Sequence, residues 1–294
     1  MQTEKFWLKD EILGEIQTEW ELQEFKSGLN RLVDEVKFNR LCRKRSLTDE
    51  QLDYVIDYAH NNRMEYLYLD NLRDLTNKQA EKLWRLWRLK HLSLWVSNLN
   101  EMQASDLRGI NELSLKNLES ITNTQLNLLL PKSFLFLDWL KELTNEQAES
   151  LSRVKTLFLN WLKKLTDEQA ESLSHVKNCL FMNWLTSITY NQAALLSKFE
   201  WRFLCLDWLT SITNQAALLW KFGWESLSLG WLKKLTDDQV EQLTGFGGRL
   251  SLNWLTSITD KQAYSLKKLE SLYLNEKILT ERQKWILKDH IHTS

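Results

Sequence analysis

The side chains able to do chemistry in this 294-residue chain are few and poorly placed for it. Five histidines, His60, His91, His175, His290 and His292, are scattered; the closest pair, His290 and His292, has a spacing that would turn the rings apart in a terminal helix. A metal needs ligands converging on one point, so no metal site is expected. Cys42, Cys179 and Cys205 lack metal-type spacing, and their odd number favours a reducing compartment over a disulfide framework. The acidic pairs Asp167–Glu168 and Asp237–Asp238 fall where helices begin, which suits the helix dipole rather than a general acid facing a general base. No phosphate loop, nucleophile elbow, zinc-protease helix or dinucleotide fingerprint occurs, and Gly245, Gly247 and Gly248 read as a helix-to-strand connection. The expectation is therefore a protein with no catalytic residues and no cofactor.

Aromatic side chains are the groups equipped for recognition, because indole and phenyl rings anchor interfaces. Trp139, Trp161, Trp184, Trp208, Trp231 and Trp254 recur at near-regular intervals, and Phe134, Phe136, Phe158, Phe181 and Phe203 cluster in the middle of the chain. Both sets gain meaning only from the elements that carry them.

Those elements repeat. Leu157 to Gln169 reads LFLNWLKKLTDEQ and Leu227 to Gln239 reads LSLGWLKKLTDDQ. Anchored on the glutamine, the copies fall at Gln51, Gln79, Gln103, Gln125, Gln147, Gln169, Gln192, Gln215, Gln239, Gln262 and Gln283, with steps of 21 to 24 residues after a first step of 28. Within each unit, leucines alternate at period two, as at Leu135 and Leu137 or Leu250 and Leu252, which predicts a short strand with one buried face. Ten such strands are expected, from Leu67/Leu69 to Leu272/Leu274. Each is followed by Thr-x-x-Gln, a capping box: the threonine hydroxyl accepts from the amide three residues on, while the glutamine side chain accepts from the threonine amide. Eleven helix starts follow, with Asn100 replacing threonine once and Thr213-Asn214-Gln215 one residue short, where a distorted start is expected. Leu143, Ala148 and Leu151 supply the buried stripe of one such helix.

Strand, turn and short helix in about 23 residues resembles the leucine-rich repeat family. The resemblance is carried by VKTLFLNWLKKLTDEQAESL at Val154 to Leu173 and its copies, and covers roughly Ser46 to the C-terminus. It implies an α/β solenoid, a horseshoe or arc with a parallel sheet on the concave face and short helices on the convex face. It also implies protein recognition through the sheet, the partner's identity being open. Val154, Leu157 and Leu159 keep the family's L-x-x-L-x-L, but the usual asparagine position holds Leu162, so the asparagine ladder is absent and the turn must find other hydrogen bonds. The repeat is most similar to a bacterial subclass with 22–24-residue units, with tryptophan filling a position where that subclass has glycine. Outside it, residues 1–45 read as a helical N-terminal cap (Phe6, Trp7, Leu8, Ile12, Ile16, then Leu29, Leu32, Val33, Val36, Leu41), 46–284 as the solenoid, and 285–294 (Trp285, Ile286, Ile291) as the closing end.

Parity assigns the faces. Residues between the strand leucines point outward, so the five phenylalanines form an apolar patch edged by Asp138, Asn160, Asn183 and Asp207, an apolar centre with a polar rim. These nine residues are the expected partner-binding site. The tryptophan column admits two readings, an indole ladder at the rim of the core or a protruding edge that grips a protein or glycan; beside protein docking and glycan binding, a structural spacer or assembly protein is the remaining alternative. Copying of whole repeats accounts for part of its recurrence, since NWLTSIT stands at both Asn183 and Asn253.

Charge adds exclusions. With 38 basic and 39 acidic side chains there is no overall field to draw in nucleic acid or an anionic membrane. The densest basic cluster, Arg40, Arg43, Lys44 and Arg45, reads as a solvated face near a helix end. No apolar run approaches the ~18 residues of a membrane span, and the first residues lack the pattern of a secretory signal. A soluble cytoplasmic protein is the expectation, and its oligomeric state is open.

Overall fold

The computed structural model describes residues 19–198, 203–210, 212, 225–244 and 248–292. Eleven strands form one parallel sheet in strict chain order: β1 Tyr66–Leu69, β2 His91–Leu94, β3 Glu112–Leu115, β4 Phe134–Phe136, β5 Thr156–Phe158, β6 Cys179–Phe181, β7 Phe203–Cys205, β8 Ser226–Ser228, β9 Arg249–Ser251, β10 Ser271–Tyr273 and β11 Ile291–His292. All ten strands expected from leucine alternation are present, in a register that stacks leucine on leucine, for example Leu135 on Leu157 on Leu180. Among the described residues, helices of six or seven residues stand between successive strands from β1 to β7 and from β8 to β11, and neighbouring helices lie side by side. Strands stand about 4.8 Å apart and packed helices about 8–10 Å. The strand side is therefore the shorter arc, and the sheet lines the concave face of a leucine-rich-repeat-like solenoid. Between the layers runs one continuous core of leucine, interrupted by isoleucine, valine and alanine.

Helices this short do not hold themselves together in water. Ten of the expected starts lie in the described residues, and each makes the complete capping box. The distorted start expected at Thr213 lies outside the described residues, as do Gly245 and Gly247. The glutamine does more than cap. Gln192 accepts the Thr189 N–H on Oε1 at 3.0 Å, and its Nε2 donates at 2.6 Å to the Leu165 carbonyl of the preceding repeat. The same inter-repeat bond is made by Gln79, Gln103, Gln125, Gln147, Gln169, Gln239, Gln262 and Gln283, always to the residue just before the previous cap. This glutamine ladder stands in for the missing asparagine ladder. Gln51, in the first repeat, has no cap before it to reach; its Oε1 instead accepts from Lys44 Nζ at 3.3 Å.

The two ends differ from expectation. The helix Glu19–Cys42 closes the first repeat through Phe38, stacked on Tyr58 at 4.4 Å, and Leu41. Leu32, Val33 and Val36, expected to share in this covering, are exposed, because 24 residues make a rod of about 36 Å that outruns the first repeat. At the other end His290 and His292 do not lie in a helix. The last helix, Glu281–Leu287, stops earlier and Ile291–His292 returns as the edge strand β11, paired to β10. There Ile286 is buried and Ile291 packs on the core, while Trp285 is exposed.

Lys132 lies deep inside. It is 2% exposed and donates from Nζ to the carbonyls of Leu107 (2.8 Å), Arg108 (2.8 Å) and Ile110 (2.5 Å), where the helix Glu101–Asp106 ends in a tight turn. All three ammonium protons are placed, and the carbonyls at this helix end are satisfied with them, that of Leu107 shared with the Ile110 amide. Burial, helped by the charge of Arg108, pushes this ammonium from 10.5 down to about 7. The unfolded chain thus holds the extra proton between those values, so the Lys132 contribution to stability rises as pH is raised through that window.

Two outcomes follow for urea unfolding. Gln192→Glu keeps the capping acceptor but sets a carboxylate against the Leu165 carbonyl, and should cost about 2–3 kcal/mol, whereas Gln51→Glu should stay within about 0.5 kcal/mol of the parent. Equal costs would mean that the ladder contributes nothing. Lys132→Met should cost about 2–3 kcal/mol by stranding buried carbonyls, with the gap to the parent widening between about pH 7 and pH 10; a pH-independent gap would refute the assignment.

Candidate interaction surface

The outward face of the sheet carries the side chains of opposite parity to the leucines. Phe136, Phe158 and Phe181 stand in one register row across β4, β5 and β6. Their rings stack nearly parallel, at 4.0 Å and 13° for Phe136–Phe158 and 4.1 Å and 5° for Phe158–Phe181. Phe203 joins from the neighbouring row, tilted 36° at 5.1 Å. Phe134, in that same row, is the most exposed of the five at 36%. All five expected patch residues therefore share one face, four of them half-buried by one another. The small residues between them, Thr156 and Cys205, are buried beneath the rings. Burial and the nearby Asp207 carboxylate push the Cys205 thiol up, so it is inert as a nucleophile.

Asp138, Asn160, Asn183 and Asp207 follow the strands and border the patch on one side, as expected. They also tie the turns together. Asn160 Nδ2 donates to Asp138 Oδ1 at 2.6 Å, and the Asn183 amide to Asn160 Oδ1 at 3.4 Å. Asp207 accepts from Cys205 Sγ (3.2 Å), Ser228 Oγ (2.5 Å) and the Gly230 amide (2.9 Å). A Cβ at position 230 would come within 2.9 Å of the Asp207 carboxylate, so a larger residue there would displace that side chain. Burial raises the Asp138 carboxyl above its usual range, opposed by the bonds from Asn160. The Asn183 Oδ1 is buried without a protein partner.

Beyond that polar row the chain turns and presents the tryptophans. From Trp139 through Trp161, Trp184, Trp208 and Trp231 to Trp254, successive indoles stack at 4.3 to 4.7 Å with interplanar angles of 12° to 20°. Their backbones are tied as well, the Trp208 amide donating to the Asn183 carbonyl at 2.8 Å. Five indoles of the column are half-buried, and Trp254 at the end is 55% exposed. Trp95 meets Trp139 edge-on at 6.1 Å rather than extending the stack.

Parity gave too little weight to the region before the patch. There Tyr66, Tyr68 and His91 form an aromatic group joined to Phe136, with ring separations of 5.4 to 6.3 Å. These residues were visible in the strand flanks, but their non-identical types hid them from a search for repetition. Burial lowers the His91 imidazole below its usual range, against the opposing pull of Glu112, 3.6 Å away. Among the described residues no group of three or more His, Cys, Asp or Glu side chains is arranged to hold a metal ion, and no helix is long and apolar enough to cross a membrane.

A half-buried indole between two others should be worth more than one at the end of the column. Trp208→Ala should lower stability by about 3 kcal/mol and Trp254→Ala by about 1, read as urea midpoints; equal losses would mean that stacking along the column contributes nothing.

No family model matches the chain, and no curated protein is similar to it in sequence. Solved structures share its shape. A chain of the yeast Rad7 and Elc1 complex superposes with a TM-score of 0.55 at 19% identity, covering 79% of this chain and 69% of that one. An internalin from Listeria monocytogenes gives 0.48 at 15% identity, over 84% and 76% of the two chains. A chain of the TLR13–ssRNA13 complex gives 0.47 at 19% identity, with 76% of this chain spanning 40% of the other. At such identities likeness speaks to fold alone; the strand order and repeat geometry make this chain a leucine-rich-repeat-like solenoid.

Proposed function

We propose that the chain is a protein-interaction scaffold that docks a partner on its concave sheet face. The observation that carries this reading is the phenylalanine stack, Phe136, Phe158 and Phe181, held on the solvent side of the sheet beside a polar row. Rings there stabilise no core; the leucines of opposite parity already fill it. An apolar centre with hydrogen-bonding groups at its edge is how protein interfaces are built. The yeast structure that resembles this chain in shape is a complex of Rad7 and Elc1. On this reading Phe134, Phe203, Asp138, Asn160, Asn183 and Asp207 complete the contact surface. Residues 46–284 are the array, of the bacterial 22–24-residue repeat type, between end pieces at 1–45 and 285–294. The scaffold works in the cytoplasm without catalysing a reaction.

The glycan alternative is weaker. Sugars dock on open ring faces, and indoles stacked at 4.3 to 4.7 Å cover each other's faces except at Trp254.

Replacing Phe158 and Phe181 together with serine should leave unfolding cooperative, with a loss of about 1–3 kcal/mol from the stack, and should remove specific partners recovered by affinity purification of the parent from its native cell. Undiminished recovery of the same partners by the folded variant would sink the reading.

A further inference from the structure

The outward face changes character between β1 and β4. Tyr66 and Tyr68 stand on β1, 48% and 52% exposed, and Phe134 and Phe136 stand on β4. Between them β2 and β3 present only His91, Ser93, Glu112 and Ser114 outward. Register sets Tyr66, His91, Glu112 and Phe134 in one row, and Tyr68, Ser93, Ser114 and Phe136 in the next. Three strand spacings of about 4.8 Å separate the tyrosine wall from the phenylalanine wall, over a floor of shorter side chains.

His91 spans that floor. Its ring lies 5.4 Å from Tyr68 on one side and meets Phe136 edge-on at 6.0 Å on the other. Beside it Ser114 is 2% exposed, on the outward face, and its Oγ has no hydrogen-bond partner within the protein. A buried hydroxyl left so carries a cost, and it marks this floor as a departure from the self-satisfied columns of the repeat.

Charge points to what the basin takes. Lys90 is held by Glu65 at 2.7 Å and Lys116 by Asp70 at 2.8 Å, so both nearby cations are matched. Glu112 and Asp138 remain, and among the described residues neither pairs with a lysine or arginine. The basin thus combines exposed aromatic rings with an excess of carboxylate. Aromatic faces attract cations, and a guanidinium is the cation whose flat, weakly hydrated surface stacks on a ring while its fork meets a carboxylate. Anions would meet two carboxylates and no free cation.

We propose that this basin takes a cationic side chain of the partner polypeptide, an arginine above all, laid over the exposed rings of Tyr66 and Tyr68 beside His91, with Glu112 as its counter-charge. The inference rests on the docking reading of the concave face and names the chemical group that face selects. The phenylalanine stack then supplies the apolar contact that flanks the captured arginine, so a partner segment with arginine beside bulky apolar residues fits the surface.

The test uses the full chain and two probes of equal shape, Nα-acetyl-arginine amide and the uncharged Nα-acetyl-citrulline amide, followed through NMR signals of the His91, Tyr66 and Tyr68 rings. The arginine probe should give saturable shifts in the millimolar range expected of so small a ligand; Glu112→Gln should weaken it about tenfold, and the citrulline probe should not saturate. Absence of saturable shifts with the arginine probe, equal binding of both probes, or an unchanged affinity in Glu112→Gln overturns the proposal. Because Phe158 and Phe181 lie outside the basin, the two readings separate. If the Phe158/Phe181 variant loses its partner while the arginine probe fails to bind the parent, the docking face stands and the arginine basin falls.

Discussion

The bond from each glutamine amide to the carbonyl ahead of the previous cap is the interaction on which this solenoid depends. A seven-residue helix has fewer internal hydrogen bonds than orphan groups at its ends, so it exists only if partners for those groups are supplied from outside. One side chain supplies them here. Gln169, for example, accepts the Thr166 amide, while its own amide is held by the Thr166 hydroxyl and its Nε2 reaches the Leu143 carbonyl one repeat back. Capping and stacking thereby become one event: a repeat that misplaces its neighbour also loses its own helix start. This coupling tolerates the drift in repeat length from 21 to 24 residues, because the extra residues enter the loops and leave the two anchoring points untouched.

Local order was legible in the sequence, and its reasons are local too. Leucine alternation and Thr-x-x-Gln are patterns of two and four residues that act on their own backbone, so the ten strands and the described capping boxes stand where the residues place them. The second half of each glutamine's role was not legible. Gln192 and Leu165 are 27 positions apart, and nothing local marks a side-chain amide whose spare protons leave the repeat. Lys132 escaped for the same reason, its three carbonyl partners lying 22 to 25 residues earlier. The closing strand β11 is a two-residue element with no alternation to read, created by the unpaired edge of β10. For the site, parity placed the five phenylalanines on one face, but their mutual distance is a property of the sheet. A spacing of one strand brings like rings into face contact, and the patch is a stack before it is a surface.

That stacking bears on where specificity can reside. Repetition puts identical side chains one strand apart, and identical side chains tend to satisfy each other: phenyl on phenyl, indole on indole, Asn160 on Asp138. Regular columns therefore supply stiffness and apolar area with little left over to discriminate among partners. Discrimination needs groups that the array leaves unmatched, and those appear where the repeat is least regular. In the first three strands Tyr68 and Ser114 stand in the phenylalanine row and His91 and Glu112 in the row beside it, and the result is an exposed tyrosine ring, an orphan hydroxyl, and a carboxylate whose near neighbour is an imidazole rather than a lysine or arginine, all within one basin. The deviations from the repeat thus carry more chemical information than the repeat itself, and a surface that reads a partner is to be sought at the junction where the columns begin.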